Sequence, residues 1–461
     1  MTTHAVGPAG VSLPGTPAFE AASQVFNLAA PAHPAAAVTV DGVDGIRAAL
    51  AHAQDRDLPV RVISTGHASG AARPMDGSLL IRTRIAGGVR IDAERRVARV
   101  PAGTRWGEVV EAAAAHGLAA PHGSSAGVGV VGYALGGGAS FYGRTTGLAA
   151  NHVRAVELVT ADGTLVRADA DRDPDLFWAL RGGGGGFGVV TAVEVALFPA
   201  HRVVTGAAYW PAALAERLLE AWLRWSPGAP RTVTTSLRLM NLPPVPGVPP
   251  ELAAGPVLCV DGAVLAAAEG DAEAARREAE ELLGPLRAIG APLLDSWHAA
   301  EPAAVLHAHM DPADPVPFVG DHMLLDELGG DGAAAFLDVV GEGSKSPLVV
   351  ASLRQLGGAF AVADPAGGVL NRVDASYAYM GSGPPFGTVT VAALEEHCDR
   401  VREALQPWDT GFTLPSLVEN ARRPQRHLGA DQAAAVARVR ERVDPAGRFA
   451  GDVAGGAVPQ V

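Results

Sequence analysis

The chain has 461 residues, enough for roughly three domains at about 150 residues each, or for two large ones. Hydrophobic residues make up 48% and charged residues 18%, a core-forming balance that excludes disorder as the main state. The net charge is −13 and Lys345 is the single lysine, so the chain is a poor electrostatic match for DNA, RNA or an anionic membrane surface. Its two cysteines, Cys259 and Cys398, cannot build a disulfide framework or a four-cysteine zinc site.

Residues 35–200 alternate short β-branched runs with helical patterns. Met1–Pro8 shows no charged n-region and no apolar h-region, and no run of 18 apolar residues occurs, so a cytoplasmic protein without a membrane span is expected. Val38–Val40 reads as a strand, Asp44 as the cap of a helix to about Gln54, and Pro59–Ile63 as the next strand. After the strand Val97–Val100, Thr104 is expected to cap a helix through Trp106, Val109, Val110 and Ala113, closed by Gly117. Val153–Thr160 alternates as a strand, Asp162-Gly163 is a hairpin turn, and Leu165-Val166 returns. Pro174–Leu180 is a short helix with proline at its start, and Val189–Leu197 another strand. Beyond residue 200 a proline-rich loop spans Asn241–Pro250 and a charged helix spans Asp271–Leu286. Val349–Leu353 and Val373–Tyr379 read as strands, and Asp431–Val443 as a terminal helix stopped by Asp444-Pro445.

The glycine-rich motifs carry the most information. Gly127, Gly129 and Gly132, then Gly183, Gly185 and Gly188, match the dinucleotide pattern Gly-x-Gly-x-x-Gly. That pattern needs a strand before it and a helix after it. The second match opens into the strand-like Val189–Val195 and the first does not follow a strand, so a Rossmann site is not supported. A P-loop is excluded, because Ser344 precedes the only lysine. What remains is three glycine-dense loops, at 66–70, 123–138 and 182–188. Tight turns would explain any one of them. Three favour a large phosphorylated ligand held by backbone N–H nests.

The ordered blocks resemble the FAD-linked oxidases of the vanillyl-alcohol-oxidase type, PCMH-type in their FAD binding, and more closely the berberine-bridge-enzyme-like branch. The blocks are Val62–Gly70 with Gly66-His67, Val100–Glu108 with Trp106-Gly107-Glu108, and Val128–Gly138 ending in Gly136-Gly137-Gly138. Thr160–Gly163, Asp173–Gly184 and Phe187–Thr191 follow, and Asp444–Phe449 resembles the family's closing motif. The resemblance implies an α+β fold, with a two-part FAD domain (1–200 and the returning 401–461) around an inserted α+β substrate domain (201–400), an antiparallel sheet covered by helices. It implies FAD held by Ser64, Thr65, Gly66, His67, Ala68, Ser69, Gly123, Ser124, Ser125, Val128, Gly129, Gly132, Gly136, Gly137, Gly138, Gly188, Val189 and Val190. His67 matches the histidine that links covalently to the flavin. The position of the family's second attachment, a cysteine, is Ser125, so His67 would be the only link.

Other family positions are altered. Ala139 stands where an aromatic residue is usual, Ala378 where some relatives carry a catalytic acid, and the family's Tyr-x-Asn is not apparent in Gly411–Pro415. The resemblance implies an oxidase that removes hydride from a C–H next to O or N of a small molecule, with O2 as acceptor. A non-redox protein using FAD as a scaffold for cyclisation or ligand binding is the alternative. The missing acid directs the search for a proton acceptor to Tyr142, four residues past Gly138, and then to Tyr377; His122 is a third option. For Tyr377, which shares a strand face with Tyr379, a place in the core is the default. His307-x-His309, with His298 and His322, has metal-like composition, but no second cluster with firm spacing completes it, and a substrate-domain surface or pocket wall is the preferred reading.

Overall fold

The computed structural model describes residues 10–453, so the expectation placed on Met1–Pro8 lies outside the described residues. A three-stranded parallel sheet comes first, with Leu79–Thr83 between Ala36–Val40 and Val60–Ile63. The helix Val43–Asp55 covers it through Ile46, Ala49, Leu50 and Ala53, the i, i+3, i+4, i+7 stripe of an amphipathic helix. Gly42, and not Asp44, occupies the N-cap; Asp44 is exposed within the first turn and pairs with Arg47 at 3.3 Å.

A five-stranded antiparallel sheet follows, in the order Arg90–Asp92, Val97–Pro101, Val189–Ala196, Val153–Val159, Leu165–Asp169. Asp162 closes the hairpin by accepting from the Thr160 hydroxyl at 2.6 Å and the Thr164 N–H at 3.1 Å, while Gly163 takes φ 81°. The helix Trp106–Ala114 starts one residue later than the sequence suggests. Arg105 is its N-cap, and the Glu108 carboxylate accepts from the Arg105 N–H at 2.9 Å.

Residues 202–383 build an eight-stranded antiparallel sheet. Its order is Leu294–Asp295, Arg202–Pro211, Val257–Ala266, Val233–Met240, Val350–Gln355, Tyr377–Gly383, Val319–Leu325, with His298–Ala300 also paired to Arg202–Pro211. The last strand pair starts at Tyr377, so Val373–Ser376 is not part of it. Alternate residues divide between two faces. Leu237, Leu239, Leu353, Tyr377, Tyr379 and Met323 enter one core with the helices Ala215–Trp225, Ala272–Ile289, Gly329–Val340 and Val391–Leu405. Leu324 and Ala378 enter the other, shared with Trp106 and Tyr133 of two N-terminal helices and Val156 of the five-stranded sheet. The second face is therefore turned toward the glycine-rich loops.

The chain end returns to the first sheet. The Val60 N–H donates to the Arg448 carbonyl at 2.8 Å, the Val62 N–H to Asp452 at 3.2 Å, and Arg61 lies 3.6 Å from the same carboxylate. Among the described residues no helix is long and apolar enough to cross a membrane.

Candidate cofactor site

The turn after Val60–Ile63 presents a row of free donors. Gly66 takes the left-handed φ 75°, which glycine adopts without strain, and a short 3-10 helix His67–Ala71 follows. Among the described residues the N–H groups of Thr65, Gly66, His67 and Ala68 donate to nothing. Consecutive free N–H groups of this kind form an anion-binding nest.

His67 sits at the centre. Its ring stacks on Phe26 with centroids 3.9 Å apart, and Nδ1 meets the Thr65 hydroxyl at 2.9 Å. Among the described residues Nε2 and the Ser69 hydroxyl are buried without a partner. Burial, reinforced by Arg105, lowers the imidazole pKa to about 4, so the ring is neutral at pH 7. The second loop closes against the first. A Cβ at Gly127 would lie 3.9 Å from His67 Nε2, and one at Gly129 would lie 2.5 Å from Ser64 Oγ. Ser125 accepts from the Gly127 N–H at 3.3 Å and brings no thiol to the site. A nest, a neutral nitrogen without a partner and glycines that keep the two loops in contact fit the diphosphate and ring system of FAD. Ser64–Ser69 and Ser124–Gly129 are the segments that would hold it.

The structure gives several of the predicted cofactor glycines a different reason. Gly137 and Gly138 take φ 103° and 72°, and a Cβ at Gly138 would lie 2.6 Å from both Ala149 and the Tyr133 ring. Gly136 packs on the Ser416 backbone, and a Cβ at Gly188 would meet the Val159 carbonyl at 2.4 Å. Val189 is sealed in the apolar core with Val159, and Val190 is half-buried against the neighbouring core. These positions shape the loops through protein packing. Gly123 likewise makes room for the Tyr133 ring, which lies against both Gly123 and Gly138. Gly132 has nothing within 4 Å of its Cβ position, and Val128 is half-buried beside it.

Neither proposed phenol is placed to accept a proton. Tyr142 is buried among Phe198, Phe141 and His122, donates to the Pro302 carbonyl at 3.0 Å, and is pushed by burial well above its ordinary pKa. Tyr377 faces the covering helices, where it shares a hydrogen bond with Ser226 at 2.6 Å and packs on Trp222; burial raises it too. His122 is sealed, with Nδ1 2.6 Å from the Gly123 carbonyl. His307 and His309 do not share a strand, because Val305–Ala308 is a helical turn. Among the described residues no three metal-capable side chains converge.

The loop-facing side of the large sheet carries a polar network that the sequence did not signal as one. Asp261 is fully buried and lies 2.5 Å from Arg238, while His309 Nδ1 meets it at 2.9 Å and Ser236 donates to its other oxygen. Burial pushes the Asp261 carboxyl up, but Arg238 and His309 outweigh it and hold it at about 2. His309 continues to Asp311 at 3.9 Å, and Asp311 accepts from Ser124 of the second cofactor loop at 2.6 Å. The network thus joins the sheet to the loop. Arg354, also buried, stacks 4.2 Å over Phe141 and donates to the Ala139 carbonyl at 3.1 Å.

Burial also sets the pH response. Desolvation holds His67, His122 and His322 at about 4 and lowers His152 and His427. His322 illustrates the cause: Nδ1 meets the Tyr379 carbonyl and Nε2 accepts from the Leu414 N–H, which only the neutral ring satisfies. Below about pH 6.5 the unfolded chain binds protons at these sites that the fold rejects. Asp452 and Glu419, raised by burial to about 6 and 7, retain protons in the fold and oppose the trend. His52 and His397 are lowered by desolvation as well, so seven sites against two leave stability falling as the pH falls. The denaturant midpoint should drop between pH 6.5 and 4.5, at roughly 1.4 kcal/mol per pH unit for each excess proton. A midpoint that rises over this range contradicts the assignment.

A family model for the FAD binding domain matches residues 34–169. (R)-6-hydroxynicotine oxidase of Paenarthrobacter nicotinovorans is 37% identical over 166 residues, 36% of this chain and 36% of the relative. Xylooligosaccharide oxidase of Thermothelomyces thermophilus is 36% identical over 183 residues, 39% of this chain and 37% of the relative. The matches thus span little more than a third of each relative. In structure, 6-hydroxy-D-nicotine oxidase of Arthrobacter nicotinovorans superposes with a TM-score of 0.78 at 22% identity, covering 97% of both chains. A BBE-like protein of Physcomitrella patens superposes with a TM-score of 0.82 at 18% identity, covering 98% of this chain and 97% of the other. The chain carries an FAD binding domain and has the fold of 6-hydroxy-D-nicotine oxidase and of the BBE-like protein. The matched FAD binding domain contains both cofactor loops, and the α+β architecture is shared with these structures.

Proposed function

We propose that the protein is an FAD-dependent oxidase of a small molecule, removing hydride from a C–H next to oxygen or nitrogen with O2 as final acceptor, and that His67 alone attaches the FAD. The observation that carries this reading is the nest and the unpartnered, neutral imidazole on one turn, closed by the Gly127–Gly129 loop. When bound, FAD supplies the two-electron acceptor. The chain's own residues divide the remaining work. The N–H groups of Thr65–Ala68 would hold the diphosphate, while Phe26 and Thr65 fix the His67 ring. Ser125 offers no thiolate for a second bond. The sheet face carrying Arg238, Ser352, Arg354 and Met380 walls the space for the substrate. A scaffold role for FAD draws no specific support from these residues.

The relatives act on an amine and on oligosaccharides by name, so (R)-6-hydroxynicotine and xylobiose serve as probes of the two C–H classes. Mixed without air, either should bleach the flavin band, and air should restore it. Chemically reduced protein should also reoxidise rapidly in air. A band that neither probe bleaches, in a protein whose reduced flavin air leaves unchanged, removes the oxidase reading.

A further inference from the structure

Resting on the oxidase reading, we propose that Glu419 is the catalytic residue that takes up the substrate's O–H or N–H proton. The segment that carries it is stitched to the end of the first cofactor loop and to the Gly136–Gly138 turn. Ser416 N–H donates to the Gly136 carbonyl at 3.0 Å, the Gly138 N–H to Ser416 Oγ at 3.1 Å, and the Ala421 N–H to the Gly70 carbonyl at 2.7 Å. Its backbone lies where Gly70, three residues past His67, leaves no room for a Cβ. On the other side, a Cβ at Gly320 would come within 2.8 Å of Glu419 Oε2. Strand alternation places Gly320 and His322 on the sheet face turned toward the cofactor loops, the face that also carries Ala378. The carboxylate therefore enters the space between sheet and loops from the C-terminal segment, and the Ala378 methyl on the same face leaves that role open.

Glu419 is enclosed by protein yet keeps some accessible surface, and among the described residues its carboxylate has no hydrogen-bond or ionic partner. Every nearby acid on a neighbouring element is engaged. Asp321 pairs with Arg402 at 2.7 Å on the far face, Glu395 with Arg423 at 2.5 Å and with Asn420, and Asp311 with Ser124. Arg105 acts on the His67 ring. Asp311 is the one charge that acts on Glu419, and with burial, the larger cause, it raises the carboxyl to about 7. A proton acceptor is most effective near the working pH.

The step balances. The substrate C–H electron pair leaves as hydride to FAD, the adjacent O–H or N–H proton moves to the Glu419 carboxylate, and a C=O or C=N bond forms. The substrate loses two electrons, FAD gains them, and O2 takes them on. The test follows the FAD-loaded protein by difference infrared and flavin absorption across pH. Wild type should show one carboxyl titrating near neutrality, sensed by the flavin band at the same midpoint. Glu419→Gln should lose both signals, and Asp311→Asn, which retains Glu419, should lower the midpoint. With a probe that bleaches the wild type, the rate should rise through that midpoint, and Glu419→Gln should be about 10²–10⁴-fold slower and flat with pH. A carboxyl signal that persists in Glu419→Gln, one that the flavin band does not sense, or wild-type bleaching by Glu419→Gln overturns the proposal. Failure of both probes on wild type bears on the oxidase reading alone, since the two titrations still decide where Glu419 stands.

Discussion

His67→Ala should convert a protein that keeps all its flavin through acid precipitation into one that releases all of it. The wild-type ring is poised for one bond. Phe26 and Thr65 hold it, burial keeps it neutral at pH 7, and Nε2 has no partner among the described residues. A neutral imidazole is nucleophilic where a protonated one is not. The variant keeps the nest at Thr65–Ala68, so it should still bind FAD, reversibly. Ser125→Ala should leave the linkage unchanged, because a hydroxyl there supplies no second attachment. Flavin retained by acid-treated His67→Ala would mean that another side chain carries the bond.

Arg238→Met should be the most destabilising single change in the substrate-facing sheet, by about 3–5 kcal/mol. Asp261 is fully exposed to the loss: it is sealed from water, and Arg238 at 2.5 Å is the dominant group holding it ionised. Ser236 and His309 cannot replace a guanidinium. The paired change Arg238→Met with Asp261→Leu should recover most of the loss, since an apolar pair of similar volume avoids the buried charge. Denaturant midpoints of the two variants measure this. Equal midpoints for the single and double variants would show that the ion pair does not account for the loss.

The cofactor half was legible because its signals are local. Pro174 at a helix start, Asp162-Gly163 between two strands, and Gly66-His67 after an apolar run each act within a few residues, and the structure places them as read. The large sheet was legible only in part. Val257–Ala266 is buried at every position, so the two-residue alternation that marks a half-exposed strand is absent from its sequence. Asp261 and Arg238 read as ordinary polar residues until antiparallel pairing sets their strands side by side. The choice of Tyr377 fails for a simple geometric reason. It adjoins Ala378 on one strand, and adjacent residues point to opposite faces, so a residue next to the acid position is turned into the helices. Tyr142 lies near Gly138 in the chain, but its phenol turns to the Pro302 carbonyl. Glu419 gave no signal at all, because its meaning depends on contacts with Gly70 and Gly320, 349 and 99 residues away in sequence.

The most direct test of the account is the intact mass of the purified protein under acid denaturation, alongside its visible spectrum in native buffer. The expected result is a yellow protein whose denatured mass equals the polypeptide plus one FAD. A colourless protein that takes up no added FAD, with the mass of the bare polypeptide, would contradict it.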